Sequence, residues 1–380
     1  MSPLSVAYFV HDVWDASVAK RVHMLLAGGA RVDVAGFRRR AQVRGQVDGA
    51  PVLDLGRTAD AALAKRAGLV VWRALTAPIW ARRFKNDEVF VARSLELLTL
   101  AWAAKVALGG RRALVYECVD IHRLLLSDGL AGRVLRAWER FLLKRSDLVI
   151  TTSPAFVSQY LAARQGLSAP HLLVENKPLA PAEPPPPRPP AGPPWRIGWF
   201  GMIRCARSLR ILCELADALG PRVEVLIAGR VAETEIADMQ GVLAAHPGVT
   251  FVGPYGPEDL GRLYGQVHFT WAIDFFEEGL NSSWLLPNRL YEGGAFGAPP
   301  LALASVETGR WLEKRGAGVL LPDDVLPALK TFFAELTPDA YVRQTAALQA
   351  IPRDQLVAGQ ADADGLVEAL GQINAGCETP

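Results

Sequence analysis

The chain has 380 residues, half of them apolar and about a fifth charged. That length favours two domains over one, and the composition excludes general disorder. The formal net charge is only +2, yet residues 1–180 hold 26 Lys and Arg against 15 Asp and Glu, and residues 181–380 hold 15 against 24. So basic a half suits an anionic partner (a membrane surface, a phospholipid-linked substrate or nucleic acid) or is an uneven surface with no partner.

From the start, MSPLSVAYFVHDVWD lacks the basic and long apolar regions of a signal peptide, and no run approaches the roughly 18 apolar residues that span a bilayer. Cys118, Cys205, Cys213 and Cys377 form no CxxC pair and no metal-ligand spacing, as expected of thiols in a reducing cytosol. These features predict a cytoplasmic protein whose membrane contact is peripheral.

In the first half, short β-branched runs predict strands at Val6–Val10, Val32–Phe37, Val89–Ala92, Leu114–Glu117 and Leu148–Thr151, with helices over Leu95–Leu108 and Leu130–Lys144. His11, Asp12 and Asp15 fall in the loop after the first strand. Leu69–Lys85 interleaves Trp72, Trp80 and Phe84 with Arg73, Arg82, Arg83 and Lys85, a mixture that suits lipid headgroups, although an ordinary core helix pair reads the same way. Pro78 argues against one continuous helix there. After the fourth strand comes YECVDIHR, residues 116–123. Asp120 or His122 could serve as general base to a hydroxyl, or Asp120 could simply cap the next segment.

The stretch Pro178–Trp195 has ten prolines in eighteen residues and reads as a semi-rigid linker. Beyond it, strands are predicted at Ile197–Phe200, Val223–Ala228, Thr250–Val252, His268–Ile273, Pro300–Leu303 and Gly318–Leu321. Helices separate them at Leu209–Leu219, Glu233–Ala244, Glu258–Tyr264, Leu286–Phe296 and Val306–Lys314. Such alternation demands parallel sheets covered on both faces, and the expected fold is two Rossmann-like domains with their sheets facing across a cleft.

Two segments of this half carry chemistry. After the first strand, Gly201 permits a tight turn, and Arg204 and Arg207 precede and open a helix, an arrangement that suits a diphosphate. Asn281, Ser282, Asn288, Arg289 and Glu292 lie in NSSWLLPNRLYEGGAFGAPP, where Pro287 fits a first helical turn. Arg289 and Glu292 share a helical face, as a phosphate and ribose site or as a plain ion pair on a solvated surface.

The series from the basic loop through GPYGPEDLGRLYGQVHFTWA to LPNRLYEGGAFGAPPLA resembles the donor domain of GT-B glycosyltransferases of family GT4, over residues 196–321 and more loosely before them. The resemblance implies that Glu292 binds the donor ribose and that Arg204 and Arg207 neutralise the diphosphate. Trp284 stands where the family's E-x7-E pattern has its first glutamate, which leaves Asp274, Glu277, Glu278 and Asn281 as the polar residues near the donor sugar. It also makes Asp120 or His122 a plausible base, with His11, Asp12 and Asp15 beside the acceptor.

The expected organisation is an acceptor domain over residues 1–177, a linker over 178–195, a donor domain over 196–355, and a tail over 356–380 for which packing back on the first domain is one arrangement. Asp362 and Asp364 read as part of a polar surface tail. The function implied is transfer of a hexose or hexuronic acid, from a nucleotide sugar that is UDP-linked for preference, to a polyprenyl-diphosphate-linked saccharide at the inner face of the cytoplasmic membrane, in exopolysaccharide or envelope polysaccharide assembly. No cofactor, essential metal or nucleic acid is expected. A UDP-sugar 2-epimerase of the same architecture and an inactive nucleotide-sugar-binding protein are the alternatives.

Overall fold

The β-branched and aromatic runs of both halves become strands of two sheets in the computed structural model, which describes residues 3–58, 63–180 and 187–378. The chain forms two compact units, residues 1–175 with 359–380, and residues 176–358. The Pro-rich stretch is described only in part, residues 181–186 lying outside the described residues.

The first unit holds β1 (Ser5–Val10), β2 (Arg31–Arg38), β3 (Gln46–Val47), β4 (Ala50–Arg57), β5 (Val89–Arg93), β6 (Ala113–Cys118), β7 (Leu148–Thr151) and β8 (His171–Leu173). They lie in the order β3-β4-β2-β1-β5-β6-β7-β8, parallel except for β3 against β4. The three central strands, β1, β5 and β6, are buried along their whole length. Strands covered on both faces read as continuous apolar runs, which is why these were legible.

Three strands go beyond the predicted set, and each lacks that signal. Strands β3 and β4 form a hairpin turning at Asp48-Gly49, where both residues have positive φ (48° and 84°) as a tight two-residue turn requires. Strand β8 has only three residues. The helix Leu95–Leu108 falls where predicted and the next, Leu130–Leu143, ends one residue early. A further helix, Ala16–Ala27, starts where the Asp15 side chain accepts from Ser17 N.

The second unit holds β9 (Trp195–Ile203), β10 (Val223–Val231), β11 (Val249–Phe251), β12 (Phe269–Trp271), β13 (Pro300–Leu303) and β14 (Val319–Leu321). All are parallel, in the order β11-β10-β9-β12-β13-β14. The predicted helix over Glu233–Ala244 shrinks to Met239–Ala245, because Asp238 accepts from Gly241 N and sets the start there. The helix predicted over Leu286–Phe296 begins only at Asn288. Leu285 and Pro287 are extended, as a residue near proline tends to be, and they divide it from a short turn at Asn281–Trp284. Arg188, past the described gap, donates to the carbonyls of Val267, His268 and Phe296 and fixes this part of the Pro-rich stretch to the second unit.

Asp362 and Asp364 do not lie in an irregular tail. They sit in the first turns of the helix Gln360–Glu378, where Asp362 accepts from Gly359 N at 2.9 Å. Ala363, Leu366 and Leu370 of this helix are buried, and the whole segment belongs to the first unit. Cys118, Cys205 and Cys213 are buried free thiols. The Cys377 side chain lies outside the described residues.

Candidate active site

In the second unit the basic loop is an extension of the sheet. Gly201 is not in a turn after the strand but within β9, at φ 122°, opposite Gly229 of β10 at φ 141°. A Cβ on Gly229 would stand 1.7 Å from the Gly201 carbonyl oxygen, so only glycine allows the two backbones this approach. The strand therefore runs on to Ile203, and Cys205 caps the helix Ala206–Leu219 by accepting from Ser208 N at 3.4 Å. This places Arg204 before the helix and Arg207 in its first turn.

Both arginines meet the segment after β12. Arg204 Nη2 is 3.7 Å from Asp274 Oδ2, and its guanidinium lies 4.6 Å from the Phe276 ring centroid. Arg207 pairs with Glu278 and lies over Phe275 at 4.0 Å. Each cation thus rests on an aromatic face with a carboxylate at its end. The arginine side chains remain about 40% exposed, where such pairs are weak and exchangeable.

Asn281 and Ser282 are buried. Ser282 Oγ accepts from Glu277 N at 2.9 Å and Ser283 Oγ from Gly279 N at 3.0 Å, so the serines hold the shape of the acidic segment. Asn288 accepts from the Asn176 side chain. Arg289 reaches back to the Ile273 carbonyl at 3.5 Å, while its Nε is buried with no hydrogen-bond partner among the described residues. Such an orphaned donor marks a place for an acceptor the protein does not supply.

Glu292 lies in the second turn of its helix, further from the helix start than the sequence suggests, and accepts from the Tyr264 hydroxyl at 3.1 Å. Tyr264 stacks on Phe296 and meets Phe200 edge-on. Burial, then the nearby Glu292 carboxylate, raise the Tyr255 and Tyr264 hydroxyls above the ordinary phenol value, so both stay neutral donors beside Glu292. Sequence reasoning missed these tyrosines. The PYGPEDLGRLYG stretch that holds them stands out by its overall pattern, and nothing in spacing ties Tyr264 to a carboxylate 28 residues on.

In the first unit, parallel neighbours β1, β5 and β6 bring three loops to one edge of the sheet. The loop after β1 carries His11, Asp12 and Asp15. Asp12 accepts from Trp14 N at 3.1 Å and Arg39 N at 3.4 Å, and so shapes its own loop. His11 Nε2 lies 3.2 Å from Asp15 Oδ2. Strand β5 ends in buried Arg93 and in Ser94, whose φ of 77° is a strained value for a residue with a side chain.

After β6, Asp120 is exposed, and the cap of the next short helix is His122, which accepts from Leu124 N at 3.3 Å. Partial burial, opposed by Asp120 and reinforced by Arg123 and Arg66, holds His122 below the ordinary imidazole value. Sequence reasoning stopped short of Glu117, the fully buried carboxylate between Arg21 and Arg93 that underlies this edge.

The segment Leu69–Lys85 divides into a helix ending at Leu75, a turn of helix over Ala77–Trp80 and a tighter turn over Ala81–Phe84. Trp80 turns inward onto Phe9 and Phe84, and Arg73 donates to the Leu55 carbonyl at 2.7 Å. Left outside are Val71, Trp72, Leu75 and Ile79, between 52% and 77% exposed, with Arg82, Arg83 and Lys85 also exposed. No helix among the described residues is long and apolar enough to cross a membrane. No group of three or more His, Cys, Asp and Glu side chains fit to hold a metal ion occurs among them.

Residues 16–176 match the glycosyl transferase 4-like domain. The succinoglycan biosynthesis protein ExoL of Rhizobium meliloti (strain 1021) is 41% identical over 382 residues, covering 97% of this chain and 94% of that protein. The sucrose-phosphate synthase of Thermosynechococcus elongatus superposes with a TM-score of 0.72 at 16% identity, covering 98% of this chain and 100% of that one. Anabaena Alr3699/HepE, solved in complex with UDP-glucose, gives 0.62 at 15% identity, covering 98% of each chain. Two parallel sheets with these neighbours establish the GT-B fold, and the chain belongs to the GT4-like glycosyltransferase family that includes the exopolysaccharide protein ExoL.

Proposed function

We propose that this glycosyltransferase takes a hexose or hexuronic acid from a UDP sugar and passes it to a polyprenyl-diphosphate-linked saccharide in exopolysaccharide or envelope polysaccharide assembly. One observation carries the reading: Arg204 and Arg207 stand at the head of a helix, on the sheet edge that Arg289 also reaches. The incoming diphosphate replaces the carboxylates of Asp274 and Glu278 as their partner, and Glu292, held by Tyr264, accepts from the ribose. The arginines and the helix N-terminus then stabilise the departing diphosphate without a metal ion.

The UDP-glucose complex of the Anabaena neighbour and the role named for the Rhizobium relative support the donor class and the pathway. The acceptor meets the first unit at the edge carrying His11, Asp12, Asp15, Asp120 and His122. The exposed apolar residues around Trp72, with their cations, hold the protein at the inner face of the cytoplasmic membrane, where lipid-linked saccharides are built.

Thermal melts and titration calorimetry with UDP, GDP, ADP and dTDP, without added metal, test the donor site. UDP at a hundred times its dissociation constant should stabilise by about 2.7 kcal/mol. Arg207→Ala and Glu292→Ala should each weaken UDP at least about tenfold, since each removes a charge-assisted contact. Failure of all four nucleotides to bind would sink the reading.

A further inference from the structure

A line of hydrogen bonds runs from the buried centre of the first unit to its carboxyl edge. Glu117 accepts from Arg21 Nε at 2.7 Å, from Arg93 Nε at 3.1 Å and from the Tyr8 hydroxyl. Arg93 Nη1 donates to Ser17 Oγ at 2.7 Å. The Ser17 hydroxyl and backbone N–H donate to Asp15 Oδ1 at 2.6 and 2.7 Å. The other Asp15 oxygen faces His11 Nε2. An acceptor there requires Nε2 to carry the hydrogen, which leaves Nδ1 as the basic nitrogen, with no protein partner among the described residues. His11 is 18% exposed, so Nδ1 is reachable from solvent while the ring is held from behind.

The other groups at this edge are less suited to take a proton. Asp12 is engaged by two backbone N–H groups and lies 3.9 Å from the Arg39 guanidinium. His122 uses Nδ1 to cap its helix. Asp120 is exposed, with no side-chain hydrogen bond among the described residues to orient it. We infer that His11 is the general base of the transfer reaction and that Asp15 is its positioning residue, an assignment that rests on the glycosyltransferase reading above.

The acceptor hydroxyl gives its proton to His11 Nδ1 as its oxygen bonds to the anomeric carbon of the donor. The bond from that carbon to the diphosphate oxygen breaks, and its electron pair leaves with the nucleoside diphosphate. A single displacement assisted by a base inverts the anomeric configuration. The charged groups around the pair are Asp12 on the same loop, Arg39 beyond β2, Arg93 on β5, and Arg21 with Glu117 behind them. Burial opposes ionisation of Asp15, but His11, Ser17 and Arg93 outweigh it and hold this carboxyl well below the usual carboxylate range. Asp15 therefore stays charged wherever an imidazole can exchange its proton.

The test uses UDP-glucose, UDP-galactose and UDP-glucuronic acid as donors and a polyprenyl-diphosphate saccharide fraction extracted from bacterial membranes as acceptor, with UDP affinity measured alongside. His11→Asn should lower kcat by about 100-fold or more, the scale of general base catalysis, with UDP affinity within about twofold of wild type. Asp15→Asn retains the helix cap. It should lower kcat and move the acidic limb of its pH profile to lower pH, because the imidazolium loses its counter-charge; loss of a cap alone would not move that limb. The product should carry the inverted configuration by NMR. A His11→Asn enzyme within about threefold of wild type, or a product of retained configuration, overturns the base assignment and leaves UDP binding and the transferase reading standing. Wild-type protein that binds UDP and none of the other nucleotides, yet turns over with equal kcat in both variants, likewise overturns it. A chain that binds no nucleotide and transfers no sugar overturns both.

Discussion

Glu117 and Glu139 are both fully buried in the first unit, and their neighbours set opposite behaviour. Burial works against ionisation of Glu117, but Arg93 and Arg21, with the Tyr8 hydroxyl, outweigh it and bring the group down to about 2. Glu139 meets only neutral donors within hydrogen-bond reach (Tyr116, Tyr160 and Gln165), and burial raises it. Glu117→Gln should therefore destabilise by about 3–5 kcal/mol, since it strands two buried guanidinium groups. Glu139→Gln, which replaces a group already biased toward neutrality, should lower stability by about 1 kcal/mol or less. Urea denaturation of the two variants at pH 7 checks the contrast, and equal losses would refute it. Asp87 adds a pH test: burial first, then Asp33, raise it to about 7, against opposition from Arg31 and Arg112. The raised value means that stability is fully present below the unfolded value near 4 and is lost as pH rises through 7. Asp87→Asn should consequently stabilise by about 1–2 kcal/mol at pH 8 and leave stability at pH 4 nearly unchanged, given about 1.4 kcal/mol for each tenfold change in proton affinity. None of these roles was legible in the sequence. YECVDIHR drew attention to Asp120 and His122, which sit in an exposed loop, while Glu117 in the same motif finds Arg21 and Tyr8 about a hundred residues away. Spacing reports neighbours on one helix or strand, and these partners are neighbours only in the sheet.

Elements that bury continuous apolar runs were legible, and those whose apolar face is shared with a distant segment were not. Strands β1, β5 and β6 were read correctly because both faces are covered. Strand β4, APVLDLGR, is half-buried along most of its length and carries Asp54 and Gly56, so it shows neither a run nor clean alternation, although Asp48-Gly49 is a strong hairpin signal in itself. The helix Gln360–Glu378 escaped for a related reason. Its apolar residues are spaced among Asp, Gly and Gln, and the surface it covers, on the helix Ala16–Ala27, belongs to the other end of the chain. The contact is close: a Cβ on Gly28 would stand 2.5 Å from the Ala363 carbonyl oxygen. Leu366 and Leu370 fill the space beside it. Leu370→Ala should destabilise the first unit by about 2–4 kcal/mol, through lost transfer energy and the cavity left behind. Because UDP is assigned to the second unit, this variant should keep its UDP affinity while its melting point falls. Calorimetric melts with and without UDP separate the two effects, and loss of affinity together with stability would contradict that division.

Across the whole molecule, the surplus of cations over residues 1–180 coincides in chain position with the exposed apolar group at Val71, Trp72, Leu75 and Ile79. Each feature alone would have an ordinary explanation, since charge is unevenly spread on many surfaces and single exposed apolar residues are common. Together they make separate demands on a bilayer. Lys and Arg near an anionic surface contribute about 1 kcal/mol each, over a range that shrinks from about 10 Å at 0.1 M salt to about 3 Å at 1 M. Apolar side chains buried below the headgroups contribute about 1.5–3 kcal/mol each and are insensitive to that screening. Binding to vesicles of phosphatidylcholine with one-third phosphatidylglycerol should therefore weaken, but not vanish, between 0.1 and 1 M salt. Trp72→Glu combined with Ile79→Glu should abolish the salt-resistant part, and Arg82→Glu with Arg83→Glu should abolish the salt-sensitive part. Both double variants should bind UDP as the wild type does, because the altered side chains are on the first unit. Vesicle sedimentation at the two salt concentrations reads both components. Binding that disappears entirely in salt would reduce the association to charge alone, and binding unaffected by either double variant would place the membrane contact elsewhere on the protein.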